Sequence, residues 1–285
     1  MNSQNNIRII GRLDVKGPNL VKGIKLEGLR AFGEPYFFAK NYYDNNIDEI
    51  FYQDVVASLY GRNNLFEIVE KTTKNIFIPV TVSGGLRSID DFTKALESGA
   101  DKVAFNTAAI RNPELINKAA EKFGSSTIIV SIEVIKYKNE YYAYTDNGRE
   151  FTGKKVIDWS KEIQERGAGE ILLTSVDRDG TGEGFDLELI KKVSEKISIP
   201  LIAHGGASKK EHLEKAIISG ANAIALASML HYNTILNLNK KTLYNNNNLE
   251  GNFEFLKKKF TFKSFGDENI NTIKKFLSKK FNIRI

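Results

Sequence analysis

Asp14 closes a short apolar run, Arg8-Ile9-Ile10-Gly11-Arg12-Leu13-Asp14. A carboxylate at the end of such a strand is placed for general acid–base work, and it would equally cap the loop that follows. That loop, Val15–Gly23, is shaped by two glycines and a proline; in it, Lys22 is either a solvated cation or a group that closes over an anionic substrate. Two glycine pairs stand at later strand ends, in Val82-Ser83-Gly84-Gly85 and Ala203-His204-Gly205-Gly206. Where no side chain intervenes, backbone N–H groups can approach an anion closely. Asn106-Thr107 and Ala227-Ser228, ending the next strands, add further donors. A single glycine pair is most simply a tight turn. Two in register, each followed by a polar strand end, point to phosphate binding at two places and so to a substrate with a phosphate at each end.

The elements that must position these residues repeat. Ile78-Pro79, Gly84-Gly85 and Ser98-Gly99-Ala100 recur as Ile199-Pro200, Gly205-Gly206 and Ser219-Gly220-Ala221, all displaced by the same 121 positions. The echo extends back to Glu49-Ile50 against Glu170-Ile171, and strand Arg8–Asp14 matches Thr127–Glu133 at an offset of 119. Each copy predicts apolar strand, glycine turn, amphipathic helix and apolar strand, an order that requires parallel pairing. An ungapped repeat of this length indicates internal duplication. Four strand–helix units per half make eight, the count of a (β/α)8 TIM barrel. The expected organisation is one domain over residues 1–285, with half-barrels at about 7–122 and 123–235 and a basic C-terminal extension over about 236–285.

Composition fits a single large α/β domain with an ordinary apolar content of 41%. No run of 18 apolar residues suggests a membrane span, and Met-Asn-Ser-Gln-Asn-Asn lacks the basic and apolar regions of a signal peptide. The absence of cysteine excludes disulfides, thiolate metal sites and a cysteine nucleophile, and suits a reducing cytoplasm. Residues 232–285 hold eleven Lys/Arg against four Asp/Glu, while the first 231 hold 30 against 31. The basicity therefore belongs to the tail, and the barrel offers no electrostatic footprint for nucleic acid.

Strand Glu49–Asp54 again ends on a carboxylate. Tyr137–Thr152 is alternating and aromatic-rich, with the hairpin signal Asp146-Asn147-Gly148, and reads as an insertion forming part of a lid. Thr174-Ser175 ends another strand and enters Val176-Asp177-Arg178-Asp179-Gly180-Thr181-Gly182. There Asp177 and Asp179 either bond a substrate or close local Asx turns. Of three histidines only His204 falls at a strand's C-terminal end; no second ligand lies at metal spacing, so neither a metal nor another cofactor is expected. Beyond Leu230 come an Asn-rich segment, Tyr244–Asn248, and Lys257-Lys258-Lys259, with apolar Phe253, Phe255, Leu256 and Phe260 between or beside them. Asn269–Phe281 reads as a terminal amphipathic helix, so the intervening stretch is an insertion before the barrel's last helix.

Leu13-Asp14-Val15-Lys16 followed by Val21-Lys22-Gly23 resembles the start of the cyclase (synthase) subunit of imidazole glycerol phosphate synthase. The resemblance continues through Val82–Gly85, Ala100–Val103, Asn106–Ala109, Arg166–Ser175, Asp177–Thr181 and Gly205–Ala207, covering roughly residues 7–235. It implies a TIM barrel that receives ammonia from a separate class I glutaminase subunit. The ammonia is used to split and cyclise a ribulose-linked aminoimidazole carboxamide nucleotide bearing two phosphates. The resemblance pairs Asp14 with the carboxylate ending strand five as acid and base. Here that residue is Glu133, one methylene longer than the family's Asp, and a displacement of about 1 Å can cost a catalytic group on the order of 100-fold. It places Asp54 on the active-site face, where a structural bond to the neighbouring loop backbone is an equal alternative, and His204, which either touches a phosphate or fills space, where a small serine is usual. At the opposite face Arg8, Glu49, Lys102 and Glu170 open strands one, two, four and six and match the family's ammonia gate, and Asp101 matches a residue at the glutaminase contact. A generic barrel would carry the same charges as a solvated salt-bridge rim. Lys16–Gly23 and Ala57–Asn63 also look like a variant branch associated with surface polysaccharides, in which the barrel supplies ammonia, alongside a separate sugar amidotransferase, for acetamido-to-acetamidino conversion. A related half-barrel isomerase shares the duplication but not Val21-Lys22-Gly23, and a non-catalytic scaffold that only activates a glutaminase would keep the gate above an inert mouth.

Overall fold

Strands buried on both faces are written as near-continuous apolar runs, and the segments around positions 10, 50, 82, 104, 130, 172, 202 and 224 are of that kind. The structure, a computed structural model, describes residues 6–57, 65–237, 265 and 268–285. In chain order the first half contains β1 (Arg8–Lys16), β2 (Asn19–Ile24), β3 (Glu27–Gly33), α1 (Pro35–Asp44), β4 (Glu49–Asp54), α2 (Leu65–Thr73), β5 (Val80–Ser83), α3 (Ile89–Glu97), β6 (Lys102–Phe105), α4 (Thr107–Arg111) and α5 (Glu114–Phe123). The second contains β7 (Ile128–Tyr137), β8 (Glu140–Thr145), β9 (Glu150–Lys155), α6 (Val156–Glu165), β10 (Glu170–Ser175), α7 (Leu187–Ser194), β11 (Leu201–His204), α8 (Lys210–Ile218), β12 (Ala223–Leu226), α9 (Ser228–Asn237) and α10 (Ile270–Leu277).

Eight strands pair in parallel in the order β10-β11-β12-β1-β4-β5-β6-β7, and β7 pairs with β10 to close the barrel. The expected (β/α)8 architecture is the observed one. Alternate residues face the helices, where Ile9, Leu13, Tyr52, Val82, Val130, Leu173 and Ile224 join the main core. The intervening residues face the barrel axis. There Ile10, Phe51, Ala104, Ile129, Leu172, Ile202, Ala223 and Ala225 form a separate buried apolar layer. Helix starts are fixed locally. Ser88 and Asp91 form a reciprocal capping box on α3, and Asp186 and Asn269 accept from the third residue of α7 and α10.

One local expectation is corrected. Val15–Gly23 is not a plain loop: β1 runs on to Lys16, the chain turns at Gly17 (φ +59°) and Pro18, and β2 and β3 form an antiparallel hairpin. The alternation of Leu20, Val21 and the buried Lys22 stem is too short, and too interrupted by glycine, to declare a strand on pattern alone. The hairpin signal at Asp146-Asn147-Gly148 marks the turn between β8 and β9, which extend β7 as a meander.

The terminal helix expected over Asn269–Phe281 is α10, and it packs onto the barrel wall. Its Lys274, almost wholly buried, ion-pairs with Asp48, and the Ile7 N–H donates to Asn282 O at 2.8 Å. Tyr244–Asn248, Lys257–Lys259, the four apolar residues beside them and Ser58–Asn63 lie outside the described residues. No helix among the described residues is long and apolar enough to cross a membrane.

Candidate active site

Inward-facing residues build the interior in layers, because every second residue of each barrel strand points to the axis. The lowest layer is charged. Arg8 bridges Glu49 (2.7 Å) and Glu170, while Lys102 Nζ lies 2.6 Å from Glu170 Oε1 and 3.7 Å from Glu49 Oε1. Two cations and two anions close a neutral ring across the N-terminal end, directly beneath the apolar layer. Burial opposes ionisation of Glu170, but Arg8 and Lys102 overcome it and hold the carboxyl below its ordinary proton affinity. Asp101 stands outside the ring on the exposed rim. Its carboxylate accepts from the Val80 N–H at 2.8 Å, stapling β5 to β6, and Asn222 does the same for Leu201 at 2.9 Å in the second half.

Above the apolar layer the interior turns polar. Arg12 Nε donates to Asp14 Oδ1 at 2.8 Å, and Nη1 lies 3.3 Å from both Thr174 Oγ1 and His204 Nδ1. Lys22 is neither solvated nor poised over the mouth from outside. It is 3% exposed, with Nζ 3.0 Å from Asp14 and 2.7 Å from Asp179, so it fills the space between two buried carboxylates. Arg12 and Lys22 thus balance Asp14 and Asp179. Burial alone would raise the Asp14 proton affinity, yet Arg12 and Lys22 reverse this and hold it well below the usual carboxylate range. His204 is neutral: burial, then the Arg12 and Lys22 charges, push its proton affinity far down. It completes this cluster, with Nε2 3.7 Å from Asp179.

Glu133 stands apart from that network. Its Oε2 accepts from the Gly148 N–H at 2.8 Å, and among the described residues no cation bonds it directly. Burial dominates over the Gly148 hydrogen bond and the Arg12 charge, and its carboxyl is pushed up to about 7. The β8–β9 turn that supplies Gly148 is tied down around the mouth. Asn147 Nδ2 donates to Leu26 O, the Asp146 N–H donates to Thr107 Oγ1, and Arg111 pairs with Asp146.

Among the described residues two cavities open at this face. The first is lined by Asp54, Gly84, Gly85, Asn106, Thr107, Glu133 and Thr174 of the expected set, together with Arg12, Ser83 and Ser131. Gly84 (φ +95°) is required there on two counts, since a Cβ would also lie 2.2 Å from Asp54 O. Asp54 accepts from the Val56 and Ala57 N–H groups at 2.9 and 2.8 Å, which is a loop-holding role. The second cavity brings together Lys22, Arg30, Gly180, Ser228 and Tyr232. Asp14, Ser175, Asp179, Gly205, Gly206 and Ala227 line neither. Gly206 lies under the β10–α7 loop, with the Gly184 N–H donating to its carbonyl at 2.7 Å, and Ser175 accepts from the Asp179 N–H. Asp177 accepts from the Lys136 N–H at 2.9 Å, a tie between loop and strand.

The sequence places Arg12 at or near the active-site face, among the residues that favour the variant branch, but gives it no partner, and it does not single out Ser131. The inward facing of both was findable: each precedes a candidate carboxylate, Asp14 or Glu133, by two residues, and period two puts i and i−2 on the same strand face.

Eight closed parallel strands with paired carboxylates and glycine-lined cavities at their C-terminal ends define a (β/α)8-barrel enzyme. The model of the histidine biosynthesis protein family matches residues 8–236, and the chain belongs to that family. Within it the chain is similar to proteins named imidazole glycerol phosphate synthase subunit HisF. That of Legionella pneumophila is 56% identical over 207 residues, 72% of this chain and 98% of the relative. That of Campylobacter concisus is 46% identical over 228 residues, covering 80% and 90% respectively, and that of Thermococcus onnurineus 44% over 226 residues, covering 79% and 89%.

Proposed function

We propose that this chain is the ammonia-using cyclase subunit of an imidazole glycerol phosphate synthase, converting an aminoimidazole carboxamide nucleotide that bears two phosphates. The observation that carries the reading is a pair of buried carboxylates, at corresponding strand ends of the two halves, with opposite proton affinities. Environments that push two acids apart in this way assign the proton-transfer roles. Glu133, with its proton affinity near neutrality, gives and takes the proton during ammonia addition, cleavage and ring closure. Asp14 stays ionised, holds Arg12 and Lys22 in place, and stabilises positive charge on the reacting nitrogen. One phosphate takes the cup of Gly84, Gly85, Asn106 and Thr107. The other takes the second cavity, where Lys22, Arg30, Gly180 and Ser228 converge.

Ammonia comes from a HisH-type glutaminase docked on the N-terminal rim, where Asp101 is exposed and the ring of Arg8, Glu49, Lys102 and Glu170 acts as the gate. The two half-barrels, about 7–122 and 123–235, form one domain with the extension, working in the cytoplasm.

The test supplies the purified chain with the bisphosphate substrate and a high ammonium concentration, so that no partner is needed. Turnover is expected by loss of substrate absorbance, falling roughly 100- to 1,000-fold in Asp14→Asn, which removes the charge that stabilises the reacting nitrogen. Retained substrate binding without turnover in the wild type would overturn the reading and move the acceptor to an amino sugar.

A further inference from the structure

Ser131 Oγ is buried and has no hydrogen-bond partner among the described residues. A hydroxyl left in that condition costs more than an apolar group of the same shape, so its presence asks for a ligand. The side chain is 94% buried at the residue level, being 6% exposed, and it lines the cavity at Gly84 and Gly85. Its height in the barrel identifies what it meets. On β7 the inward series is Ile129, Ser131, Glu133; Ile129 belongs to the apolar layer above the charged ring, and Glu133 stands in the cavity. Ser131 is therefore the first polar group of β7 above that layer. Residues two apart on a strand are separated by about 6.6 Å, which leaves room for one small molecule between the hydroxyl and the carboxyl.

We infer that Ser131 is the docking residue for ammonia as it leaves the apolar layer, holding it beneath Glu133; this rests on the ammonia-using reading above. Ammonia is small enough for the site, accepts the Ser131 O–H through its lone pair and donates its own N–H groups in return. Arg12 shares the cavity wall, and its permanent charge selects the neutral molecule over ammonium. The other polar side chains bounding this level on the far side are already engaged, Thr174 with Arg12 and His204, and Arg12 with Asp14.

The experiment measures ammonium-dependent turnover of the bisphosphate substrate by the full-length chain and by Ser131→Ala and Ser131→Thr. In Ser131→Ala the KM for ammonium is expected to rise about 3- to 10-fold, the value of one hydrogen bond, with kcat and the KM for the nucleotide within about twofold. Ser131→Thr keeps the hydroxyl and is expected to restore the ammonium KM. An unchanged ammonium KM in Ser131→Ala, or a rise confined to the nucleotide KM, overturns the assignment while leaving the parent reading in place. A wild-type chain that shows no turnover with ammonium overturns the parent reading, and the assignment falls with it.

Discussion

The two halves of this barrel share a backbone plan and differ in what their strand ends do. Gly84 and Gly205, 121 positions apart, both adopt positive φ, and a Cβ would lie 2.2 Å from the carbonyl oxygen of Asp54 at the first and 2.6 Å from that of Ser175, the residue equivalent to Asp54, at the second. The first glycine pair nevertheless forms the wall of an open cavity, whereas Gly206 is roofed by the β10–α7 loop. In the second half the opening lies one loop over, at Gly180 and Ser228. Duplication thus preserves the turn, and whatever packs on the turn decides whether it is a site. The same holds for the carboxylates. Asp14 is held by two cations and Glu133 by a backbone N–H, so equivalent strand ends carry an ionised group and a group near half-protonation.

The sharpest way to break this comparison is to neutralise both positions. Asp14→Asn leaves Arg12 and Lys22 with only Asp179 between them, and an uncompensated buried charge costs about 3–5 kcal/mol. Urea unfolding at neutral pH should show that loss as a lower midpoint. Glu133→Gln should go the other way. The folded carboxyl binds its proton up to about pH 7, against an ordinary value of 4.5, so the unfolded chain ionises first as pH rises. The contribution of Glu133 to stability is therefore full below pH 4.5, declines through the window to about pH 7 and stays lower above it. Glu133→Gln removes that decline while keeping an acceptor for the Gly148 N–H. Its Tm should exceed wild type by about 5 °C at pH 8 and match it near pH 4. Equal destabilisation by the two substitutions would show that the environments are alike.

The charged ring offers a smaller contrast between the halves. Glu49 and Glu170 stand 121 positions apart and open equivalent strands, but both ring cations, Arg8 and Lys102, come from the first half; Thr127 and Ala223 occupy the corresponding second-half positions. Glu170 receives both cations closely, whereas Lys102 is 3.7 Å from Glu49. Glu170→Gln should therefore cost more than Glu49→Gln, by about 1 kcal/mol in denaturant unfolding, from the loss of one further charge-assisted bond. Equal costs would mean that the ring shares its charge evenly.

The eight-fold plan was legible because it is written in periods: a repeat of 121 residues, apolar strands and glycine turns survive in one dimension. The ring was legible as four charges at strand starts that match the family's gate, although its cations do not repeat between the halves. What escaped was pairing between distant segments. Nothing local to Lys22 shows that Asp14 and Asp179 will enclose it, since Asp179 lies 157 residues away. Ser131 reads as an ordinary member of its strand until barrel closure turns its face to the axis, and Arg12, though placed near the active-site face, gives no sign of the partners it finds there. The β2–β3 hairpin was missed because its strands carry only a few apolar residues between glycines, and its register is set by contacts such as the Lys25 N–H to Asp179 O bond.

The least costly probe of the comparison is a pair of hydroxyl deletions, one at each proposed anion site. Thr107 lies on the wall of the cavity at Gly84 and Gly85 and accepts from the Asp146 N–H, which leaves its own O–H available to a ligand. Ser228 lines the second cavity beside Lys22 and Gly180. If the substrate's two phosphates divide between these cavities, Thr107→Ala and Ser228→Ala should each raise its KM about 3- to 10-fold with little change in kcat, because each removes one ground-state hydrogen bond. The double variant should multiply the two effects, since sites without shared partners contribute additively in free energy. Inorganic phosphate as a competitive inhibitor reads each site separately, each variant weakening it only where the hydroxyl was lost. A KM that rises with Thr107→Ala and not with Ser228→Ala would mean that the roofed half contributes no phosphate site at all. The duplication would then have left one cup in use and turned the other into packing.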